Sequence, residues 1–210
     1  FWSLANLKTY KFSDSEISNM ESSIQENMQS DELIQMHFAL GKAYETNKDF
    51  NKSFENYKKG NWLQRKQVDY NSENHKKSID ELISFFSSNK ELLKAKTGSS
   101  SADPIFILGL PRSGSTLIEQ ILSSHSLIEG TQELPNIMAT SKKIRLIDDV
   151  KGYPNNLNDL NDNEFLSFGE DYINDTKWTR SNKPFFIDKM PNNFVHIGLI
   201  KIILPNACLL

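Results

Sequence analysis

At 210 residues, 38% of them hydrophobic and 24% charged, the chain can form one large domain or two small ones, and it is too apolar to be wholly disordered. Its 24 Lys and Arg face 27 Asp and Glu for a formal charge of −3; residues 1–100 carry 14 of each sign and residues 101–210 carry 10 basic and 13 acidic. Neither half has the basic excess of a nucleic-acid binder, so no nucleic-acid partner is expected. No apolar run approaches the ~20 residues of a membrane span and no charged-then-apolar signal opens the chain, so a segment outside the membrane is expected, with the cytoplasm as its compartment. The lone Cys208 cannot form an internal disulfide and is expected to be a small core residue. His37, His75, His125 and His196 are scattered without ligand spacing, so no metal is expected. The chain begins at Phe1 and stops inside the apolar stretch Ala207–Leu210, and it reads as a fragment of a longer protein.

From about residue 13 to residue 95 apolar residues recur at helical spacing and no proline interrupts them, which predicts a run of helices. Ser13-Asp14-Ser15-Glu16 is a capping-box start for a helix through about Met28. Ser30-Asp31-Glu32 starts the next, with Leu33, Met36, Leu40 and Tyr44 on one face. A third helix from about Phe50 presents Phe54, Tyr57 and Leu63, and a fourth, near Lys76 to Lys94, presents Ile79, Leu82, Ile83, Phe86 and Leu93.

Within this run, Leu40-Gly41, Tyr44, Asp49-Phe50, Phe54 and Tyr57 resemble a tetratricopeptide repeat of about 34 residues, in which a small residue lets paired helices approach and aromatics fill the seam. Ser53 stands where that repeat usually has Ala, and a generic helical hairpin is the alternative. Trp2 and Leu4 fit the end of a preceding repeat, and since a solenoid needs at least ~three repeats, more are expected upstream.

Thr97-Gly98-Ser99-Ser100-Ser101-Ala102-Asp103 is small, polar and unpatterned, the signature of a flexible joint. The expected organisation is therefore a helical region at 1–96, a linker at 97–103 and a second domain at 104–210. The grammar changes after the joint. Pro104–Gly109 is a short continuous apolar run, as in a buried strand of a parallel sheet, followed by a turn and a helix with Leu117, Ile121 and Leu122 inward. Pro184–Asp188 reads as a second strand, Asn193–Ile203 as a helix and Ala207–Leu210 as the start of a third strand, around a polar Asn/Asp-rich insertion at Asn155–Asn163. Trp178, Phe185, Phe186 and Phe194 are expected core residues.

Between the first strand and its helix lies Gly109-Leu110-Pro111-Arg112-Ser113-Gly114-Ser115-Thr116, whose glycines have the G-x-x-x-x-G spacing of a phosphate-binding loop. Inward-pointing amides and the positive end of the helix bind an anion with few side chains. Ser115 stands where a triphosphatase loop has its lysine, so that reading loses its central cation, and the nearest positive charge is Arg112.

The run Ile105–Leu117 resembles the 5′-phosphosulfate-binding loop of the sulfotransferases, and the likeness continues through Glu119–His125, Glu133-Leu134-Pro135 and Phe186–Phe194. With the repeat-like helices ahead of it, the whole chain resembles bacterial proteins that join tetratricopeptide repeats to a sulfotransferase domain of the protein-tyrosine sulfotransferase type. The resemblance implies an α/β fold, a P-loop-like parallel sheet with flanking helices, preceded by an all-α tetratricopeptide-like region. It implies transfer of a sulfuryl group from 3′-phosphoadenosine 5′-phosphosulfate to a hydroxyl acceptor; protein tyrosine, a polysaccharide and a small alcohol all fit, as does a protein or peptide recruited by the helical repeats.

It also implies residue roles. Arg112, Ser113, Gly114, Ser115 and Thr116 bind the 5′-phosphosulfate, and Arg112, Glu133 and Lys189 form the catalytic set, with Glu133 as general base and Lys189 as the cation beside the bridging oxygen. Each has an ordinary structural alternative: a helix-capping turn for the loop, a first-turn glutamate of a helix from about Leu134 for Glu133, a solvated surface residue for Lys189. Glu129 is the second candidate base. His125 lies nine residues beyond Thr116, roughly 13 Å along a helix at ~1.5 Å per residue, which makes it a helix-end residue. Asp188 orients the neighbourhood of Lys189. The family's 3′-phosphate ligands follow the strand begun at Ala207–Leu210 and cannot be assigned. Two other readings remain open from the residues alone: a P-loop phosphotransferase, and a repeat-based protein-binding module with a vestigial phosphate-loop domain.

Overall fold

The capping box read at Ser13 forms: the Ser13 hydroxyl accepts the N–H of Glu16 at 3.3 Å while the Glu16 carboxylate accepts the N–H of Ser13 at 2.8 Å. This comes from a computed structural model, which describes residues 1–7, 9–24, 28–148, 150–181 and 183–210. The chain divides into two units, Phe1–Asn71 and Ser72–Leu210.

The first unit contains helices α1 (Trp2–Ala5), α2 (Asp14–Ser22), α3 (Ser30–Thr46) and α4 (Phe50–Gln67). Helix α2 ends at Ser22, short of Met28, and residues 25–27 of the expected span lie outside the described residues. Helix α3 buries Ile34, His37, Ala39, Leu40, Gly41, Ala43 and Tyr44, a wider surface than the single face expected of it. It packs on α4 so closely that a Cβ on Gly41 would lie 2.6 Å from the Tyr57 ring, and the Ser53 hydroxyl donates to the Gly41 carbonyl at 2.8 Å. Ser53, Tyr57 and Gly60, at i, i+4 and i+7, make the inward face of α4. Phe54, expected inward, is one residue out of that register and is exposed.

The second unit begins with α5 (Ser72–Ser88) and α6 (Lys90–Lys94), where one helix was expected. The break falls at Asn89, whose side-chain amide donates to the Phe85 carbonyl at 2.8 Å. Phe85 belongs to the core of the second unit. The division of the chain therefore lies at Asn71 and Ser72, ahead of the expected joint. Residues 97–103 are built into the second unit: the N–H of Ser99, a buried residue, donates to the Ile203 carbonyl at 2.9 Å, and the Asn206 amide donates to the Ser100 carbonyl at 3.0 Å. Gly98 and Gly169 both press on the backbone at Ile203. Small residues serve close packing here, not flexibility.

Then follow β1 (Pro104–Phe106), α7 (Ser115–Ser123), β2 (Ile128–Gly130), α8 (Asn136–Arg145), α9 (Asp162–Asp175), β3 (Phe185–Asp188), α10 (Ile197–Ile203) and β4 (Cys208–Leu209). The strands form one parallel sheet in the order β2-β3-β1-β4, with Pro104 opposite Phe186, Ile128 opposite Phe185 and Ile105 opposite Cys208. Strand β2 was not anticipated; it is three residues long with a glutamate in its middle. A 3-10 turn at Pro191–His196 delays α10, and the Asn155–Asn163 stretch resolves into a 3-10 turn and the Asn161/Glu164 capping box of α9.

Both faces of the sheet are covered. Phe106 and Phe186 join Tyr172, Leu199, Ile200 and Ile203 on one side, while Ile105, Ile107 and Ile187 meet Leu122 and Ile128 on the other. Trp178, expected in the core, is 78% exposed; the Arg180 guanidinium, two residues on, lies over the Phe186 ring, 3.9 Å from its centroid. Phe185 is partly exposed, and Cys208, expected to be buried, is exposed on the edge strand β4. Among the described residues no helix is long and apolar enough to cross a membrane.

Candidate active site at the carboxyl ends of the strands

The loop between β1 and α7 leaves the sheet through three residues with positive φ: Gly109 at 138°, Arg112 at 70° and Gly114 at 93°. Gly114 is the N-cap of α7, and a left-handed N-cap with nothing near its missing side chain is a position that glycine fills without strain. Its carbonyl accepts the N–H groups of Leu117 and Ile118 at 2.9 and 3.1 Å. Ser115 and Thr116 open the helix, so their own N–H groups have no carbonyl one turn back and face outward with the positive end of the helix dipole. No side chain caps the helix, so Ser113 and Ser115 are not N-cap donors or acceptors there. The loop is otherwise anchored by Gly109 N–H to the Pro191 carbonyl, 3.2 Å, and Ser113 N–H to the Leu110 carbonyl, 3.2 Å. Arg112 holds a left-handed conformation that a side-chain-bearing residue adopts with strain, and it makes no ion pair among the described residues.

Lys189 follows β3 directly. Its side chain is only 14% exposed, and Nζ lies 2.7 Å from Glu133 Oε1 and 3.9 Å from Glu119 Oε2. It is not a solvated surface lysine. Glu133 precedes the first residue of α8 by three positions and the N-cap Pro135 by two, so it is not a first-turn residue of that helix. The Thr131 hydroxyl, donating to the Ile187 carbonyl at 2.6 Å, pins the segment leading to Glu133 against β3. The structure thus brings together two of the residues singled out from sequence, Glu133 and Lys189, and seats the Arg112–Thr116 loop at the head of the helix that carries Glu119.

Glu119 is the residue the sequence reading missed. The apolar spacing of α7 pointed to Leu117, Ile121 and Leu122 as the inward face, yet Leu117 and Ile121 are exposed and Glu119 is buried. Ser115, Glu119 and Leu122 share one face at helical spacing, and that pattern was the available signal.

Two further carboxylates are occupied elsewhere. Glu129 is buried and its Oε2 accepts the backbone N–H of Ser181 at 2.5 Å together with the Ser181 hydroxyl, so it holds the start of the β3 approach. Asp188 is fully buried, accepts the Tyr172 hydroxyl at 2.8 Å, and is pushed up to about 7 by burial. His125 lies past the C-cap of α7, with Nδ1 accepting the N–H of Leu127 at 3.2 Å.

Comparison with known proteins bears on this arrangement. A profile of the Sulfotransferase family matches residues 104–210, from the first residue of β1 onward. An uncharacterized protein of Aquifex aeolicus (strain VF5) is 35% identical over 179 residues, which is 81% of this chain and 23% of that protein. The chain therefore spans less than a quarter of the length of that relative. No solved structure matches the chain significantly. Strand, glycine loop, helix and the lysine that follows β3 all fall inside the matched region, and the chain belongs to the Sulfotransferase family.

Proposed function

We propose that residues 104–210 hold the 5′-phosphosulfate of 3′-phosphoadenosine 5′-phosphosulfate and move its sulfuryl group to a hydroxyl acceptor. The observation that carries this reading is the Glu133–Lys189 pair, 2.7 Å apart at the carboxyl ends of the strands, in the same unit as a glycine loop whose helix N-terminus is open. In this reading the amides and hydroxyls of Ser113, Gly114, Ser115 and Thr116 and the Arg112 guanidinium hold the phosphosulfate. Glu133 accepts the proton of the acceptor O–H. The acceptor oxygen's electron pair forms the new S–O bond as the sulfur–phosphate-oxygen bond breaks. The electron pair of that bond stays on the phosphate oxygen, whose growing charge Lys189 stabilises by donating a hydrogen bond.

The first unit is proposed to be tetratricopeptide-like and to present a protein or peptide acceptor; the support is the close Gly41–Tyr57 seam between α3 and α4. Calorimetry tests the donor assignment. The protein is expected to bind adenosine 3′,5′-bisphosphate without Mg²⁺ far better than ATP, and Arg112→Ala to weaken that binding. Mg²⁺-dependent ATP binding of equal or greater strength would overturn the reading in favour of a phosphoryl-transfer loop.

A further inference from the structure

Resting on that reading, we infer that Glu119 is a positioning residue: it holds the Lys189 ammonium in place when the acceptor's proton neutralises Glu133. At 2.7 Å the Glu133 Oε1 accepts a hydrogen from Lys189 Nζ, and as a general base Glu133 takes the acceptor's proton on its other oxygen and becomes neutral. When it does, Lys189 loses its nearest anion, and its side chain is 86% removed from solvent. An ammonium so placed needs another carboxylate or it is costly to keep there.

Glu119 meets that need. Its side chain is 11% exposed, its Oε2 already lies 3.9 Å from Lys189 Nζ, and it forms no hydrogen bond with any other described residue. The carboxylate has the same dependence in reverse, since a buried carboxylate without donors requires the cation it faces. The two glutamates differ in mobility. Glu133 is 56% exposed and lies outside any helix, free to turn toward an acceptor, whereas Glu119 is fixed mid-helix on α7 against Gly130 of β2. Glu119 also sits one helical turn below Ser115, so the same helix that presents its N-terminus to the donor carries the anchor of the lysine. The lysine is thereby kept facing the place where charge develops, whichever partner Glu133 has.

The acylation rate of the Lys189 amine at fixed, mildly alkaline pH, read by peptide mass spectrometry, tests this without relying on turnover. Glu119→Gln preserves shape, so a residue that only fills space would leave the rate unchanged. The expected result is a rise of roughly threefold to tenfold in Glu119→Gln, larger still when made on Glu133→Gln. Unchanged Lys189 reactivity between Glu133→Gln and the double variant overturns the inference, whatever the activity. Should Glu119→Gln not fold alone, Lys189→Met with Glu119→Gln is expected to melt above Lys189→Met alone, because the stranded carboxylate is gone; a double variant melting no higher overturns it equally. In turnover, Glu119→Gln is expected to lower kcat on the order of tenfold or more while donor Kd is kept, and Glu119→Asp to recover part of that loss. Failure of the wild-type protein to bind the bisphosphate would sink the sulfotransferase reading and leave the labelling result standing.

Discussion

Helices α7 and α10 are alike in composition and opposite in use. Each is a short apolar helix with one charged residue, Glu119 in Ser115–Ser123 and Lys201 in Ile197–Ile203. Helix α10 buries Leu199, Ile200, Ile202 and Ile203 and keeps Lys201 at the periphery, where Nζ donates to the Pro205 carbonyl at 2.7 Å. Helix α7 does the reverse, burying its glutamate while Leu117, Ile118 and Ile121 are exposed. Burying three aliphatic side chains is worth several kcal/mol, at about 1.5–3 kcal/mol each, and within residues 1–210 α7 instead turns Glu119 and Leu122 inward. That rotation places Glu119 3.9 Å from the Lys189 ammonium, on a helix entered through Gly114. A helix built for the core obeys hydrophobic periodicity; a helix built for a site answers to its charge partner.

The sharpest way to separate the two roles is kinetic. Glu133→Ala and Lys189→Ala are expected to lose ~10²–10⁴-fold in kcat with donor affinity held within a few-fold, as measured by steady-state assay and bisphosphate calorimetry. Retained activity in Glu133→Ala would take the base role from it.

On the fold side, Leu199→Ala in α10 is expected to destabilise by about 2–5 kcal/mol in chemical denaturation, the ordinary effect of a cavity at a fully buried leucine.

An intermediate effect concerns pH. Burial pushes the Asp188 carboxyl up from 3.8 to about 7, so the folded state holds a proton there that the unfolded chain releases, and this contribution is full below 3.8 and lost as pH rises to about 7. Burial, helped by the Arg145 charge, brings His196 down from 6.5 to about 4, so its contribution is full above 6.5 and lost as pH falls to about 4. Across the shared window the two slopes oppose, each at most about 1.4 kcal/mol per pH unit. Asp188→Asn is expected to leave a stability that climbs with pH through that window, and His196→Phe one that declines; parallel pH profiles for the two variants would refute the assignment.

Smaller still, Arg112→Gly relieves a left-handed backbone at φ 70° and is expected to raise stability by about 1 kcal/mol while weakening bisphosphate binding. Leu117→Ala on the exposed face of α7 is expected to change stability by less than about 0.5 kcal/mol, the counterpart that completes the contrast with Leu199.

Much of the fold was legible because it rests on local chemistry. The Ser13 capping box is visible from residue type and spacing, and the continuous apolar runs at β1 and β3 read as strands buried on both faces. The glycine loop was legible for the same reason, since its conformation is written in Gly109 and Gly114. What escaped is tertiary. Residues 97–103 look like a linker by composition, and only the Ile203 carbonyl, remote in sequence, makes their small size a packing requirement. Strand β2 has a glutamate in the middle of three residues and earns its place by pairing with β3. Glu119 was passed over because a charged residue in an apolar helix is assigned to solvent unless its partner is known, and Lys189 lies far along the chain. Trp178 is exposed while its neighbour Arg180 lies over Phe186, a choice no local pattern records.

The register of the central strands has a kinetic consequence. Pro104 meets Phe186 and Ile105 meets Cys208, pairings that close about 80 and about 100 residues of chain, so the sheet belongs to the slow-forming, non-local class. The contacts that shape the site, the Gly109–Pro191 hydrogen bond and the Glu119–Lys189 ion pair, likewise close about 80 and about 70 residues of chain and depend on β1 and β3 having joined. An anion held by the loop, as proposed, would therefore act at a distance as a fastener of the sheet: a ligand that binds only the closed form slows its opening, and hydrogen exchange at Phe106 and Ile187 is expected to report occupancy of the loop.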